Sequence, residues 1–118
     1  MIQITPHMRI LLAVEPADFR KGIDGLAGIC RQALKADPFD GTLFIFRNKK
    51  GTSIKVIIYD GQGFWLCQKR LSKGRFSWWP DKNNQQTKML AAHELQLLLY
   101  NGNPSTSPVG EMWKKIKV

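Results

Sequence analysis

The feature that most limits the fold is a run of three strand-like segments at 42–47, 53–59 and 64–71. They are interrupted by Asn48-Lys49-Lys50-Gly51 and by Asp60-Gly61-Gln62-Gly63. Both interruptions are short, polar and carry glycine, which reverses a chain at little steric cost. Two consecutive hairpins follow, and with them an antiparallel meander. If each hairpin closes symmetrically, Ile45 lies opposite Ile54, Val56 opposite Cys67 and Ile58 opposite Trp65. One side of the sheet is then mostly apolar (Leu43, Ile45, Ile54, Val56, Ile58, Trp65, Cys67). The other mixes aromatic and basic groups (Phe44, Phe46, Lys55, Ile57, Tyr59, Phe64, Leu66, Gln68, Arg70). A turn at Ser72-Lys73-Gly74 is expected to return Arg75-Phe76-Ser77-Trp78 as a fourth strand, ended by Pro80.

The flanks supply one more strand and two helices. The apolar run 8–14, ended by Glu15-Pro16, reads as a strand. Ile23, Leu26, Ala27, Cys30, Ala33 and Leu34 recur at helical spacing. Asp18 or Asp24 is placed to cap that helix. Gly22, Gly25 and Gly28 would each cost up to ~1 kcal/mol inside it, and close approach of its backbone to a neighbour is the expected return. The turn 37–41 ends the helix. After a polar loop at 81–86, Ala92, Leu95, Leu98 and Leu99 mark one face of a second helix, closed by Asn101-Gly102. The expected fold class is α+β, an antiparallel meander sheet of four to five strands packed with two helices. It forms one domain over 1–102, followed by a Pro/Ser linker and basic tail over 103–118. Helices on both faces would bury most of Phe44, Phe46, Tyr59 and Phe64.

Charge carries more functional information than motif. The 118 residues hold 18 Lys+Arg against nine Asp+Glu, a formal charge of +9, and residues 1–46 are balanced. The excess lies in 47–118, and the stretch 47–75 alone has eight basic residues against Asp60. Clustering of this kind favours a polyanionic partner, most often nucleic acid. Lys49 and Lys50 crown one hairpin, while Lys69, Arg70, Lys73 and Arg75 surround the next turn. These six are the candidate phosphate contacts. With the aromatic residues buried, duplex backbone is favoured over base stacking as the target.

Other function classes find little support. No apolar run approaches the roughly 18 residues of a membrane span, and the N-terminus lacks a basic-then-apolar signal, so a cytoplasmic protein is expected. Two cysteines and two histidines offer no metal spacing and no disulfide framework. Cys30 and Cys67 are expected to be buried apolar thiols, and His93 an exposed polar residue. No nucleophile has a base at hand, and no cofactor is implied. A small metal-dependent nuclease would have to use Asp18, Asp24 or Asp60, each of which reads as a cap or turn residue. The chain is expected not to be an enzyme.

Four blocks in order carry a family resemblance. They are Asp18-Phe19-Arg20-Lys21-Gly22-Ile23-Asp24-Gly25-Leu26, then Asp37-Pro38-Phe39-Asp40-Gly41-Thr42-Leu43-Phe44-Ile45-Phe46, then Lys55-Val56-Ile57-Ile58-Tyr59-Asp60-Gly61-Gln62-Gly63-Phe64, then Lys69-Arg70-Leu71-Ser72-Lys73-Gly74-Arg75-Phe76. In this spacing the chain resembles the TnpB, or second-open-reading-frame, accessory proteins of the insertion-sequence sixty-six family, from about Arg9 to Gly102. The usual pattern has a bulkier aromatic pair where this sequence has Ile57-Ile58. The resemblance implies a non-catalytic role in transposition of a bacterial mobile element, beside a separate transposase that performs strand transfer. It supplies no catalytic set, and it adds Arg20 and Lys21 as surface candidates, although Asp18 and Asp24 beside them could hold them in local ion pairs. The expected function is an accessory factor that binds duplex DNA at the element's ends through a basic surface. The alternative is an interaction module that docks on the transposase without touching DNA.

Overall fold

The computed structural model describes residues 7–81 and 84–102. The chain forms β1 (Ile10–Ala13), α1 (Ile23–Gln32), β2 (Leu43–Arg47), β3 (Ser53–Tyr59), β4 (Phe64–Arg70), β5 (Thr87–Leu90) and α2 (Ala92–Leu99). One five-stranded sheet has the order β4-β3-β2-β1-β5. The expected linker and tail over 103–118 lie outside the described residues.

The two hairpins form where the glycine turns put them. In β3–β4, Val56 pairs with Cys67 and Ile58 with Trp65, as symmetric closure requires. In β2–β3, Ile45 pairs with Val56 and not with Ile54. The cause is Asn48. Its carboxamide oxygen accepts the N–H groups of Thr52 (2.9 Å) and Ser53 (3.1 Å), which stretches the turn until Arg47 meets Ile54. A shift of two residues leaves every side chain on its expected face, since strand side chains alternate with period two.

The sheet is not a pure antiparallel meander. β1 runs parallel to β2, with Ile10 beside Leu43, and α1 makes the crossover between them. The expected fourth strand at 75–78 is also absent, and β5 takes the place beside β1 instead. The physical reason is the route. After β4 the chain must travel from one edge of the sheet to the other, so it cannot lie alongside β4. It crosses the α2 face, where Phe76, Trp78 and Trp79 pack on the core. Trp79 donates its indole N–H to the carbonyls of Ala13 (3.2 Å) and Val14 (3.1 Å).

Both faces of the three central strands are buried. Ile10, Leu12, Leu43, Ile45, Ile54 and Val56 pack under Leu95 and Leu98 of α2. Leu11, Ala13, Phe44, Phe46 and Ile57 pack under Leu26 and Cys30 of α1. Each buried Leu, Ile, Val or Phe among them stabilises the fold by roughly 1.5–3 kcal/mol through loss of apolar surface to water. The helix cover does not reach β4, so Cys67 is exposed, against expectation. Tyr59 and Phe64 are only half-buried for the same reason, and they form a three-ring cluster with Phe39 at centroid distances of 5.1–5.2 Å.

Helix ends differ in how far the sequence anticipates them. α1 starts at Gly22, whose extended backbone serves as N-cap with no side-chain bond, so neither Asp18 nor Asp24 caps it. A methyl group at Gly25 would collide with the Lys21 side chain, whereas Gly22 and Gly28 have open space. The expected close backbone approach is therefore not what these two glycines provide. In α2 the Glu94 carboxylate accepts the Ala91 N–H (2.8 Å). The helix closes as expected at Asn101 (φ +62°) and Gly102, whose N–H reaches the Leu97 carbonyl (2.7 Å).

Candidate nucleic-acid interface

The strand registers sort the charged side chains between two ends of the sheet. At one end lie the β2–β3 turn, the start of β3 and the end of β4, with Ser53 opposite Arg70 and Ile54 opposite Lys69. The segment after β4 folds back on that turn, because Leu71 N–H bonds the Thr52 carbonyl and Phe76 N–H the Gly51 carbonyl (both 2.9 Å). Lys49, Lys50, Lys69, Arg70, Lys73 and Arg75 are thereby gathered at one end, and all six are exposed.

Arg20 and Lys21 join this group through a buried lysine. The Ala17 N–H bonds the Arg47 carbonyl (2.9 Å), which brings the 17–21 loop beside the β2–β3 turn. Lys55, only 7% exposed, sends its ammonium to the carbonyls of Phe19 (2.9 Å) and Lys21 (3.0 Å) and lies over the Phe19 ring. A shallow cleft of about 670 Å³ runs between this loop and the turn, lined by Asp18, Phe19, Arg20, Asn48, Lys49 and Lys50. The sequence marks Lys55 only as one more basic residue. Its burial makes it a positioning group, and its place mid-strand between apolar neighbours is the signal for that burial in the sequence.

The eight candidates are not equivalent. Arg20 is held in a bidentate pair by Asp18, with contacts of 2.7 and 3.0 Å, as its neighbours suggested. Hydrogen bonds from Arg20 hold the Asp18 carboxyl at about 2, well below the usual carboxylate range. Lys69 donates to the Leu99 carbonyl at the end of α2 and lies 5.4 Å from the Tyr100 ring centroid. A cation there also complements the negative end of the helix. Among the described residues, no acceptor engages the side chains of Lys21, Lys49, Lys50, Arg70, Lys73 or Arg75. These six are the cations most available to an external anion.

The opposite end is different in kind. It carries Asp37, Asp40, Asp60 and the Phe39–Tyr59–Phe64 cluster. The Asp60 carboxyl is lowered by backbone N–H bonds from Gln62 and Gly63 and by the Trp65 indole. The three carboxylates that a nuclease would need are dispersed: Asp18 and Asp24 lie toward the basic end, and Asp60 at the other. Among the described residues, no three His, Cys, Asp or Glu side chains cluster to hold a metal ion. No helix among them is long and apolar enough to cross a membrane.

Comparison with known proteins supplies the biological frame. The profile of the family described as IS66 Orf2 like protein matches residues 8–107. An uncharacterized protein of Sinorhizobium fredii, y4jC, is 40% identical over 83 residues, covering 70% of this chain and 71% of that protein. A second from the same organism, y4hO, is 42% identical over 78 residues, covering 66% and 68%. No solved structure matches the chain.

Proposed function

The chain belongs to the IS66 Orf2-like protein family, and from that membership we propose that it serves transposition by binding DNA with the basic end of its sheet. The family's role is accessory to IS66 transposition. The finer reading is that the protein grips duplex DNA at the ends of the element, in the bacterial cytoplasm, beside a transposase that performs the chemistry. One observation carries it: three separate stretches of chain converge to set eight exposed cations at one end, while Asp60, the single carboxylate of the hairpins, lies at the other with Asp37 and Asp40.

Lysines and arginines placed this way neutralise phosphates and release condensed counterions, which gives affinity without base readout. The aromatic rings of the sheet itself are turned away from single-strand stacking here, and Tyr100, 84% exposed beside Lys69, is an open ring at this end. Phe44 and Phe46 are fully buried, and the half-open rings of Tyr59 and Phe64 lie at the opposite end. Fluorescence-anisotropy titration of labelled duplex and single-stranded DNA across a salt series tests the reading. Binding to duplex is expected, with log K falling against log salt by roughly 0.9 per phosphate contact. Alanine at Lys49, Lys50, Lys73 and Arg75 is expected to flatten that slope. No binding to either form at low salt would overturn the proposal and leave docking on the transposase as the function to pursue.

A further inference from the structure

The sheet has two edges, and they are guarded unequally. β5 is four residues long and exposes Lys88. Shortness and charge are ordinary protections for an edge strand. β4 has seven residues, pairs with β3 without a bulge from Tyr59–Phe64 to Ser53–Arg70, contains no proline, and stays open on both faces. Trp65 and Leu66 are 42% and 37% exposed on it. A long, straight, partly apolar edge is a template for another strand.

The ladder fixes which backbone groups are on offer. Asp60 N–H bonds the Gly63 carbonyl and Leu71 N–H bonds the Thr52 carbonyl. Counting in twos between these points, Trp65, Cys67 and Lys69 direct their backbone groups to β3, while Phe64, Leu66, Gln68 and Arg70 direct theirs outward.

We infer that β4 is a homodimer edge, pairing antiparallel with β4 of a second copy about a two-fold axis at Cys67. The strand is self-complementary only in that arrangement. Its first half, Phe64-Trp65-Leu66, is apolar, and its last half, Gln68-Lys69-Arg70, is polar and basic. Centring on Cys67 sets Phe64 opposite Arg70 of the second copy, Trp65 opposite Lys69, and Leu66 opposite Gln68. Aromatic rings then face cations, a favourable contact. Parallel pairing would instead bring Lys69 and Arg70 against their own kind. Moving the axis by one residue leaves Phe64 or Arg70 without a cross-strand partner. With the axis at Cys67 the outward groups form roughly eight hydrogen bonds, and two five-stranded sheets join into one. Lys69 and Arg70 are common to this edge and to the basic end, whereas Lys49, Lys50, Lys73 and Arg75 lie outside β4.

The arrangement contains its own reporter. Cys67 would face Cys67 of the second copy at a non-hydrogen-bonded pair, where Cα atoms approach to about 4.5 Å, within the range a disulfide spans. Cys30, the chain's other thiol, is buried and pushed up to about 12 by desolvation, so it does not compete. Diamide would take two protons and two electrons from the paired thiols, forming one S–S bond and becoming the reduced hydrazine. On the full chain without DNA, light scattering is expected to give twice 13.5 kDa, and diamide a disulfide dimer that Cys67→Ser abolishes. In a Cys67→Ser background, Leu66→Cys and Gln68→Cys alone should cross-link far more slowly, because neither faces itself.

Two substitutions at one position separate the interface from folding. Trp65→Lys sets like charges opposite Lys69 twice over, and is expected to weaken the dimer by about tenfold or more. Trp65→Glu removes the same indole but restores opposite charges, so the dimer should persist. A monomer at all concentrations overturns the inference. So does a dimer indifferent to Trp65→Lys, a loss that is equal in both variants, or cross-linking that fails to centre on Cys67, as when the 103–118 tail covers β4 instead.

Discussion

At the basic end of the sheet the turn is locked by Asn48, whose side-chain oxygen takes the N–H groups of Thr52 and Ser53. At the other end Asp60 does the same for Gln62 and Gly63. Each turn also has a glycine at positive φ, Gly51 at +72° and Gly61 at +98°. The backbone solutions match, and the charges do not. A carboxylate at position 48 would sit among Lys49, Lys50 and Arg70 and cancel part of their field, so the neutral amide shapes the turn without spending charge. At the Asp60 end no such field needs protection, and the charged acceptor makes the stronger bonds. Turn geometry and surface charge are thus set by separate atoms and can be altered separately.

The two ends should differ most when cations are removed from one of them only. Alanine at Lys49, Lys50, Lys73 and Arg75 together should lower duplex affinity by on the order of 10²–10³ near physiological salt. Alanine at Arg9 and Lys35, toward the other end, should change it by less than about twofold. A binding titration compares the two variants directly. Next in size is Lys55→Met, which strips the donor from the Phe19 and Lys21 carbonyls. Chemical denaturation should show a loss of roughly 1.5–3 kcal/mol.

Exchanging the two anchors sharpens the point. Asn48→Asp should keep the turn and thermal stability, yet reduce duplex affinity by about tenfold and the salt slope by about one contact. Asp60→Asn should leave binding unchanged. Gly51→Ala and Gly61→Ala should each cost about 1 kcal/mol in stability, since a Cβ is strained at positive φ, and only the former should weaken DNA binding. The smallest effect is pH dependence. The folded pKa of Asp60 is depressed, so its stabilising contribution is complete above the unfolded value near 4 and fades as pH falls through the lower folded value. Acid unfolding followed by circular dichroism should therefore begin at a less steep slope in Asp60→Asn. Asp18, held at about 2, works in the same direction over the window from about pH 4 to 2.

Glycine turns and helical periodicity are legible in the chain because their physics is local, although the N-cap of α1 falls at Gly22 and not at Asp18 or Asp24. The turns at 48–51 and 60–63 mark the hairpins because glycine and an Asx side chain act on their own neighbours. The β3–β4 register followed from turn length alone, whereas the β2–β3 register did not, because Asn48 bonds forward to Thr52 and Ser53 and lengthens the loop. The parallel β1–β2 pair had a readable cue in the strand–helix–strand order, since such a crossover returns the chain in the same direction. β5 had almost none. Of its four residues only Leu90 is buried, and pairing with β1 alone makes Thr87–Leu90 a strand.

The candidate cations were legible as a cluster along the chain, and hydrogen bonds made distant in sequence decided how they differ. Nothing near Lys69 announces that its ammonium ends on the Leu99 carbonyl, and the apolar neighbours of Lys55 signal its burial without showing that the 19–21 loop covers it. The hairpins, the two amphipathic helices and the excess of charge follow from the order of residues, because periodicity and turn chemistry act over a few residues. Tertiary structure alone decided strand order, the open β4 edge and the sorting of charge to one end. Those depend on which segments of chain pack side by side, and burial is a property of the neighbours a residue acquires on folding.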